Sequence, residues 1–239
     1  MLVSFPQPLL KARLVKRYKR FFADGILEGG AEVTAHCPNT GSLKTCGSPG
    51  DTIFLLHDPS PTRKLAYTWE LTELATGFVG VNTSRPNQVA KAAVLAGKIP
   101  ELDGYQNIRS EVKYDQDSRI DLLLSEPKQG KSHSLCYVEV KNTTLFEDGA
   151  VKFPDAVTAR GLKHLKALEA MVKQGHRAVM LYMVNRSEGN FFRVAGEIDP
   201  QYEKALIHAV QNGVEVLAYR IRHSLEGLDL GERVSVVLP

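Results

Sequence analysis

Arg119-Ile120-Asp121-Leu122-Leu123-Leu124 and, beyond a polar connection over Glu126–Ser134, Tyr137-Val138-Glu139-Val140-Lys141-Asn142 are the stretches that decide the fold. Both read as strands in which charge interrupts apolar residues. Asp121 stands in a run of otherwise core-grade side chains, where an ionised carboxylate is costly unless it is paired or binds a cation. In the second stretch a period of two places Val138 and Val140 on one side and Glu139 and Lys141 together on the other. If the two strands are neighbours, as the short connection suggests, Asp121 lies beside Glu139 and Lys141. Two carboxylates with a lysine at the next same-face position offer hard oxygen ligands to Mg²⁺ and an ammonium to hold or polarise a water. The blander alternative is a buried Asp/Glu–Lys ion-pair cluster, and Glu-Val-Lys by itself does not separate the two.

Working outward, a helix is predicted from Asp155 to Lys173, stopped by Gly175. Its apolar stripe is Val157, Gly161, Leu165, Leu168 and Val172, and Arg160 and His164 fall within that stripe at i, i+4. The helix is therefore expected to turn a guanidinium and an imidazole toward the sheet: Arg160 as a phosphate or transition-state clamp, His164 as a water or phosphate contact. Upstream, the Ala-rich Asn87–Gly97 reads as a helix entered through Ser84, Pro86 and Asn87, and Ile108–Asp115 as a strand. Downstream come strands at Ala178–Val184 and Phe191–Val194, a helix around Gln201–Gln211, and a strand at Val214–Ile221. The sum is an α-β-β-β-α-β core with a β-α-β extension.

The first third has a different period. Short strands at Ala31–Cys37, Asp51–His57, Lys64–Leu74 and Gly77–Asn82 are separated by turn signals such as Asp24-Gly25, Gly29-Gly30 and Ser48-Pro49-Gly50-Asp51. Before them, Lys11, Arg13, Lys16, Arg17, Lys19 and Arg20 fall in ten residues without an acid, with Leu10, Ala12 and Leu14 facing one way and Lys11 and Arg13 the other. This segment is either a solvated strand face near a sheet edge or a phosphate-tracking surface. About five strands over residues 1–82 are compatible with an OB-like barrel.

Composition bounds the function classes. With 43% hydrophobic and 24% charged residues, 19 Gly and 12 Pro, the chain has enough apolar side chains for a core and is neither collagen-like nor disordered. The net charge of +3 is too small to attract polyanions through its total, so placement must do it. Cys37, Cys46 and Cys136 form no C-x-x-C pair, which argues for reduced thiols rather than disulfides or structural zinc. P-loop, dinucleotide-binding, zincin and serine-hydrolase signatures are missing from the sequence. Met1-Leu2-Val3-Ser4-Phe5-Pro6 lacks signal-peptide character and no apolar run is long enough for a membrane helix, so the expectation is a cytoplasmic protein with no membrane partner.

The order of elements, with an Asp on the second strand, E-x-K on the third and a polar-bearing helix after it, resembles the PD-(D/E)xK metal-dependent nucleases. Asp121 matches the motif's Asp, Glu139 its Asp/Glu and Lys141 its Lys, while Ile120 replaces the nominal Pro. The acid often found on the first helix is missing from Ser84–Gly97, and Glu111 is a weak substitute. Over its whole length the chain resembles the bacterial sugar fermentation stimulation protein family, described as DNA-binding and linked to sugar utilisation. His36-Cys37-Pro38-Asn39-Thr40-Gly41-Ser42, Arg119-Ile120-Asp121, Val138-Glu139-Val140-Lys141-Asn142 and Phe153-Pro154-Asp155-Ala156 leading into Thr158-Ala159-Arg160-Gly161 and His164-Leu165 carry that resemblance.

It implies a mixed α/β (α+β) fold: an OB-like β-barrel over residues 1–82 and a PD-(D/E)xK restriction-endonuclease-like domain over residues 83–239. Two functions are expected to compete. One is a Mg²⁺- (or Mn²⁺-) dependent nuclease in which Asp121, Glu139 and the Val140 carbonyl hold the metal, Lys141 orients water and Arg160 steadies phosphate charge. The other is a non-catalytic DNA-binding regulator on the same scaffold. In both, DNA is held largely without sequence preference through Lys11–Arg20, and the Pro38–Ser42 loop is either a tight turn or part of a site.

Overall fold

The computed structural model describes residues 1–115, 118–127 and 135–239, so most of the predicted polar connection, residues 128–134, lies outside the described residues. The chain opens with β1 (Val3–Ser4), β2 (Leu10–Tyr18), β3 (Phe22–Leu27), β4 (Glu32–His36), β5 (Thr52–His57), β6 (Tyr67–Leu74) and β7 (Gly77–Gly80). Strands run in the order β4-β3-β2-β5-β6, and a parallel pairing of β4 with β6 closes them into a five-stranded barrel that β7 extends. Alternation supplies its core: Ala12 and Leu14 point inward with Ala23, Ala35, Ile53, Leu55 and Trp69. Leu10, expected to face inward with them, is instead 38% exposed at the barrel rim.

β2 does not alternate to its end. Its register against β3 shifts between Leu14 and Lys16, leaving Val15 as an exposed extra residue. Past that bulge Arg17 stands opposite Ala23, which is fully buried. One inserted residue flips the facing of all that follow.

The rest of the chain forms α1 (Arg85–Leu95), β8 (Tyr105–Asp115), β9 (Ser118–Pro127), β10 (Leu135–Thr143), β11 (Leu145–Glu147), β12 (Ala150–Phe153), α2 (Ala159–Lys173), β13 (Arg177–Val184), β14 (Phe191–Val194), α3 (Pro200–Gln211), β15 (Glu215–His223), β16 (Gly227–Arg233) and β17 (Ser235–Val237). A seven-stranded sheet runs β1-β16-β15-β13-β10-β9-β8, so the first strand of the chain crosses to the second unit. β10, β13 and β15 are parallel at its centre, and β10 pairs antiparallel with β9. As expected for a sheet covered on both faces, these central strands are nearly continuous in apolar residues. α1 packs Val89, Ala90 and Ala93 against Val138, Val140 and Leu181 on one face. On the other, α2 and α3 bring Leu165, Leu168 and Leu206 against Tyr137, Met180 and Tyr182.

A smaller sheet, β11-β12-β14-β17, was not expected from the sequence beyond the strand at Phe191–Val194. Its first hairpin turns on Asp148 (φ 52°) and Gly149 (φ 75°), a two-residue loop with both residues in the left-handed region.

α2 begins four residues later than predicted. Thr158 caps it by accepting a hydrogen bond from the Gly161 N–H at 3.0 Å, and its own N–H donates to Asp199 Oδ2 at 2.9 Å. Val157, assigned to the apolar stripe, therefore precedes the helix and is 77% exposed.

The barrel and the second unit are stitched by buried polar contacts. Glu70, 2% exposed, takes Arg85 Nε at 2.9 Å and Nη2 at 2.8 Å. Arg186 Nη1 donates to Thr45 Oγ1 at 2.7 Å and to the Thr144 carbonyl at 2.8 Å. Phe54 and Leu71 of the barrel join the α1-side core. Among the described residues no helix is long and apolar enough to cross a membrane. All three cysteines are buried and unbonded to one another, and burial pushes the Cys46 thiol up to about 12.

Candidate active site

The fork between β9 and β10 makes the site. Their ladder runs from Leu135↔Ser125 to Val138↔Leu122, after which β10 continues beside β13 to Thr143. At the fork the Val140 N–H donates to Asp121 Oδ2 at 2.7 Å, so a side chain takes over where the ladder ends. The alternation of β9 also breaks here, because Ile120 packs in the α2-side core and Leu122 in the α1-side core. Asn87, from the first turns of α1, donates to Asp121 Oδ1 at 2.7 Å. Burial, and then the Glu139 charge, push Asp121 up to about 6, against the opposing pull of its two hydrogen bonds and Lys141.

Glu139 and Lys141 project together, as the pleat requires. Lys141 Nζ donates to Glu139 Oε1 at 2.5 Å, and His164 Nδ1 reaches the same oxygen. Glu139 is 2% exposed, and its Oε2 is buried with no hydrogen-bond partner among the described residues. Burial alone would push its carboxyl up, but the His164 hydrogen bond and the Lys141 charge outweigh it and hold it below the usual range. Lys141 Nζ also lies 2.9 Å from His164 Nδ1. Arg160 Nε stands 3.4 Å from His164 Nε2. The imidazole thus stands between two cations, Lys141 at Nδ1 and Arg160 at Nε2, with the Glu139 carboxylate also at Nδ1.

The structure thus brings together Asp121, Glu139, Lys141 and His164, with the Val140 backbone between the carboxylates. Arg160 differs from expectation: it is exposed, above His164 rather than buried beside it, because α2 starts late and its first turn stands clear of the sheet. Glu111, the weak substitute for a helix acid, is exposed on β8 with φ 54°. Asn87 is the residue that sequence reasoning missed. In the sequence it signals only a helix entry, yet it reaches the site from the helix that carries an acid in the motif. Asp121 and Glu139 are the two carboxylates of the site, and among the described residues no three His, Cys, Asp or Glu side chains are arranged to hold a metal ion by themselves.

The six basic residues of β2 and the turn after it divide. Lys11 pairs with Glu28 at 3.8 Å and Lys16 with Asp24 at 3.5 Å. Arg17, swung round by the bulge, donates to the carbonyls of Asn39 (2.7 Å), Ser42 (3.2 Å) and Arg20 (3.2 Å). It anchors the Pro38–Ser42 loop instead of facing outward. Arg13, Lys19 and Arg20 are exposed and have no acidic partner among the described residues.

A family model described as the sugar fermentation stimulation protein RE domain matches residues 84–227, and one described as the SfsA N-terminal OB domain matches residues 15–81. A sugar fermentation stimulation protein homolog of Geotalea uraniireducens (strain Rf4) is 50% identical over 234 residues, 98% of this chain and 99% of that protein. A homolog of Geobacter sulfurreducens is 47% identical over 232 residues, 97% of each chain. The solved structure of Pyrococcus furiosus SfsA in complex with Ca2+ has the same fold, with a TM-score of 0.89 over 100% of both chains at 22% identity. Barrel, forked sheet and near-complete likeness to these relatives agree: the chain belongs to the sugar fermentation stimulation protein family.

Proposed function

We propose that this protein is a divalent-metal-dependent nuclease that hydrolyses phosphodiesters in DNA, held largely without regard to sequence. The observation that carries the reading is Glu139 Oε2, a buried carboxylate oxygen near Asp121 with no hydrogen-bond partner among the described residues. A buried acceptor left unsatisfied costs about 1–3 kcal/mol, and a hard cation between the two carboxylates would satisfy it. The depressed Glu139 carboxyl and the raised Asp121 fit a pair that gains from such an ion. Asp121, Glu139 and the Val140 carbonyl would hold Mg²⁺ or Mn²⁺. The ion would lower the pKa of a water and neutralise charge on a phosphoryl oxygen.

Lys141 then orients the attacking water from the Glu139 side, and the exposed Arg160 guanidinium meets the phosphate at the mouth. His164 keeps Glu139 and Arg160 in register through its two ring nitrogens. The Pyrococcus furiosus relative, solved with Ca2+, gives support, since Ca²⁺ also seeks oxygen ligands. Arg13 and Lys19, exposed and without an acidic partner among the described residues, supply phosphate contacts on the barrel. One observation favours a non-catalytic DNA-binding regulator instead: Lys141 and His164 already satisfy one oxygen of Glu139. Purified protein with labelled single- and double-stranded DNA, with and without Mg²⁺ or Mn²⁺, separates the two. Metal-dependent cleavage is expected, and binding without cleavage would leave the regulator.

A further inference from the structure

Between the barrel and the second unit lies a cleft of about 280 Å³. From the barrel it is lined by Arg20, Asn39 and Thr40, and from the second unit by Phe153, Pro154 and Val157 interspersed with Lys152, Asp155 and Thr158, so one contribution is polar and the other mixed. Chain neighbours tie it to the acid–lysine cluster, whose own side chains do not line it. Asn142, the residue after Lys141 on β10, lines it, and so does Thr158, the cap of the helix that carries Arg160 and His164.

The cleft is held open. Arg17 fixes the loop from behind, and the Ser42 N–H donates to Asp155 Oδ2 at 2.8 Å across the gap. A Cβ at Gly41 would collide with that carboxylate, so glycine permits the close approach.

Two observations point to a ligand. Asn39 is 5% exposed and spends Oδ1 on the Gly41 N–H at 2.8 Å, while its Nδ2 has no partner among the described residues. A donor of a buried amide is thereby left in the wall of a cavity. Val157 presents a branched apolar side chain, 77% exposed, at the rim. Lys152 is paired with Asp148 and Glu197, each at 2.7 Å, and Asp155 keeps its negative charge while it accepts from Ser42, so the attraction for an anion rests on Arg20, the exposed cation of the cleft without an acidic partner among the described residues. A donor amide and a guanidinium on the barrel side, facing Phe153, Pro154 and Val157, suit a group with an anionic end and a flat apolar body. Pockets for small ligands begin near ~300 Å³, so the room is for one such group and not for a duplex.

We infer that this cleft seats one nucleotide of single-stranded DNA, phosphate toward Arg20 and Asn39 and base against Phe153, Pro154 and Val157. Single strands are then the substrate class presented to Asp121, Glu139 and Lys141. The catalytic consequence rests on the nuclease reading, but the binding does not. The test is fluorescence anisotropy of the full chain in EDTA, with a labelled single-stranded oligonucleotide and a blunt duplex of the same sequence. Wild type is expected to bind the single strand more tightly, and Arg20→Ala and Val157→Glu each to lose roughly tenfold of that affinity while duplex binding stays within about twofold, the scale of one stacked base. Both residues are exposed, so the melting temperature should not move. Equal affinity for strand and duplex, or either variant binding the single strand as wild type does, overturns the inference. Because EDTA removes the metal, a protein that binds in this way and never cleaves refutes the nuclease reading alone.

Discussion

The molecule concentrates charge in two places, and they behave oppositely. At the β9–β10 fork an aspartate, a glutamate and a lysine are drawn together under a helix, and one glutamate oxygen stays unsatisfied. On β2 and the turn after it six cations were expected to form either a solvated strand face or a phosphate-tracking surface, but two pair with acids and a third turns inward to hold a loop. The buried set keeps its residues together because low dielectric makes unpaired charge costly and so fixes partners. The exposed set disperses, since water screens each cation and weak partners are enough. Charge inside an apolar strand is therefore the better pointer to chemistry than a larger run of charge outside.

The largest effect that could break this contrast is at Lys141. Lys141→Met is expected to lower cleavage by about 10²–10³-fold, while metal and DNA binding persist. If the cluster is only an ion pair, the same change strands two carboxylates, and thermal or urea melting should instead show a loss of ~3–5 kcal/mol.

Asp121→Asn tests the metal arm. It removes a carboxylate whose burial already disfavours its charge, so the metal-free protein should melt no lower than wild type. Metal affinity, read by calorimetric titration, should fall by at least about 10–100-fold, the scale typical of losing even an outer partner of a ligand. Unchanged affinity removes Asp121 from the site.

Acidification probes the ground between the two regions. His223 packs against Gly80 of the barrel and lies 3.0 Å from Asn185 Oδ1. Burial lowers it to about 4 from 6.5. The unfolded chain takes the proton first, so the stability is whole above pH 6.5 and lost as pH falls toward 4, by up to about 3 kcal/mol. Urea melts across that window should show the slope, and His223→Gln should flatten it.

The smallest effects lie on β2 and the turn after it, and they sharpen the division among the cations there. Arg17→Ala should cost about 2 kcal/mol through the hydrogen bonds it removes from loop carbonyls, measured by melting. Neutralising Arg13 and Lys19 together should leave melting unchanged. It should flatten the salt dependence of duplex binding by up to ~0.9 log units for each phosphate no longer neutralised, for all sequences alike. Equal outcomes for the two sets of variants would erase the distinction drawn by the bulge at Val15.

By itself the sequence determined the division into a β-unit and an α/β unit, the strands that carry Asp121, Glu139 and Lys141, and the same-face placement of the last two. Local periodicity suffices for these, because a pleat and a helix repeat over a few residues and a buried charge is conspicuous among Leu and Val. Asp148-Gly149 between Phe146 and Val151 is likewise a local hairpin signal, the Asp-Gly pair that a two-residue left-handed turn requires. Tertiary structure alone decided the rest. Asn87 reaches Asp121 only because α1 packs over the fork, Arg17 turns inward only because one extra residue at Val15 shifts the pairing with β3, and Arg160 stays at the mouth because Thr158 and Asp199 start the helix late. Each depends on contacts between residues far apart in the chain, whose register no local pattern encodes.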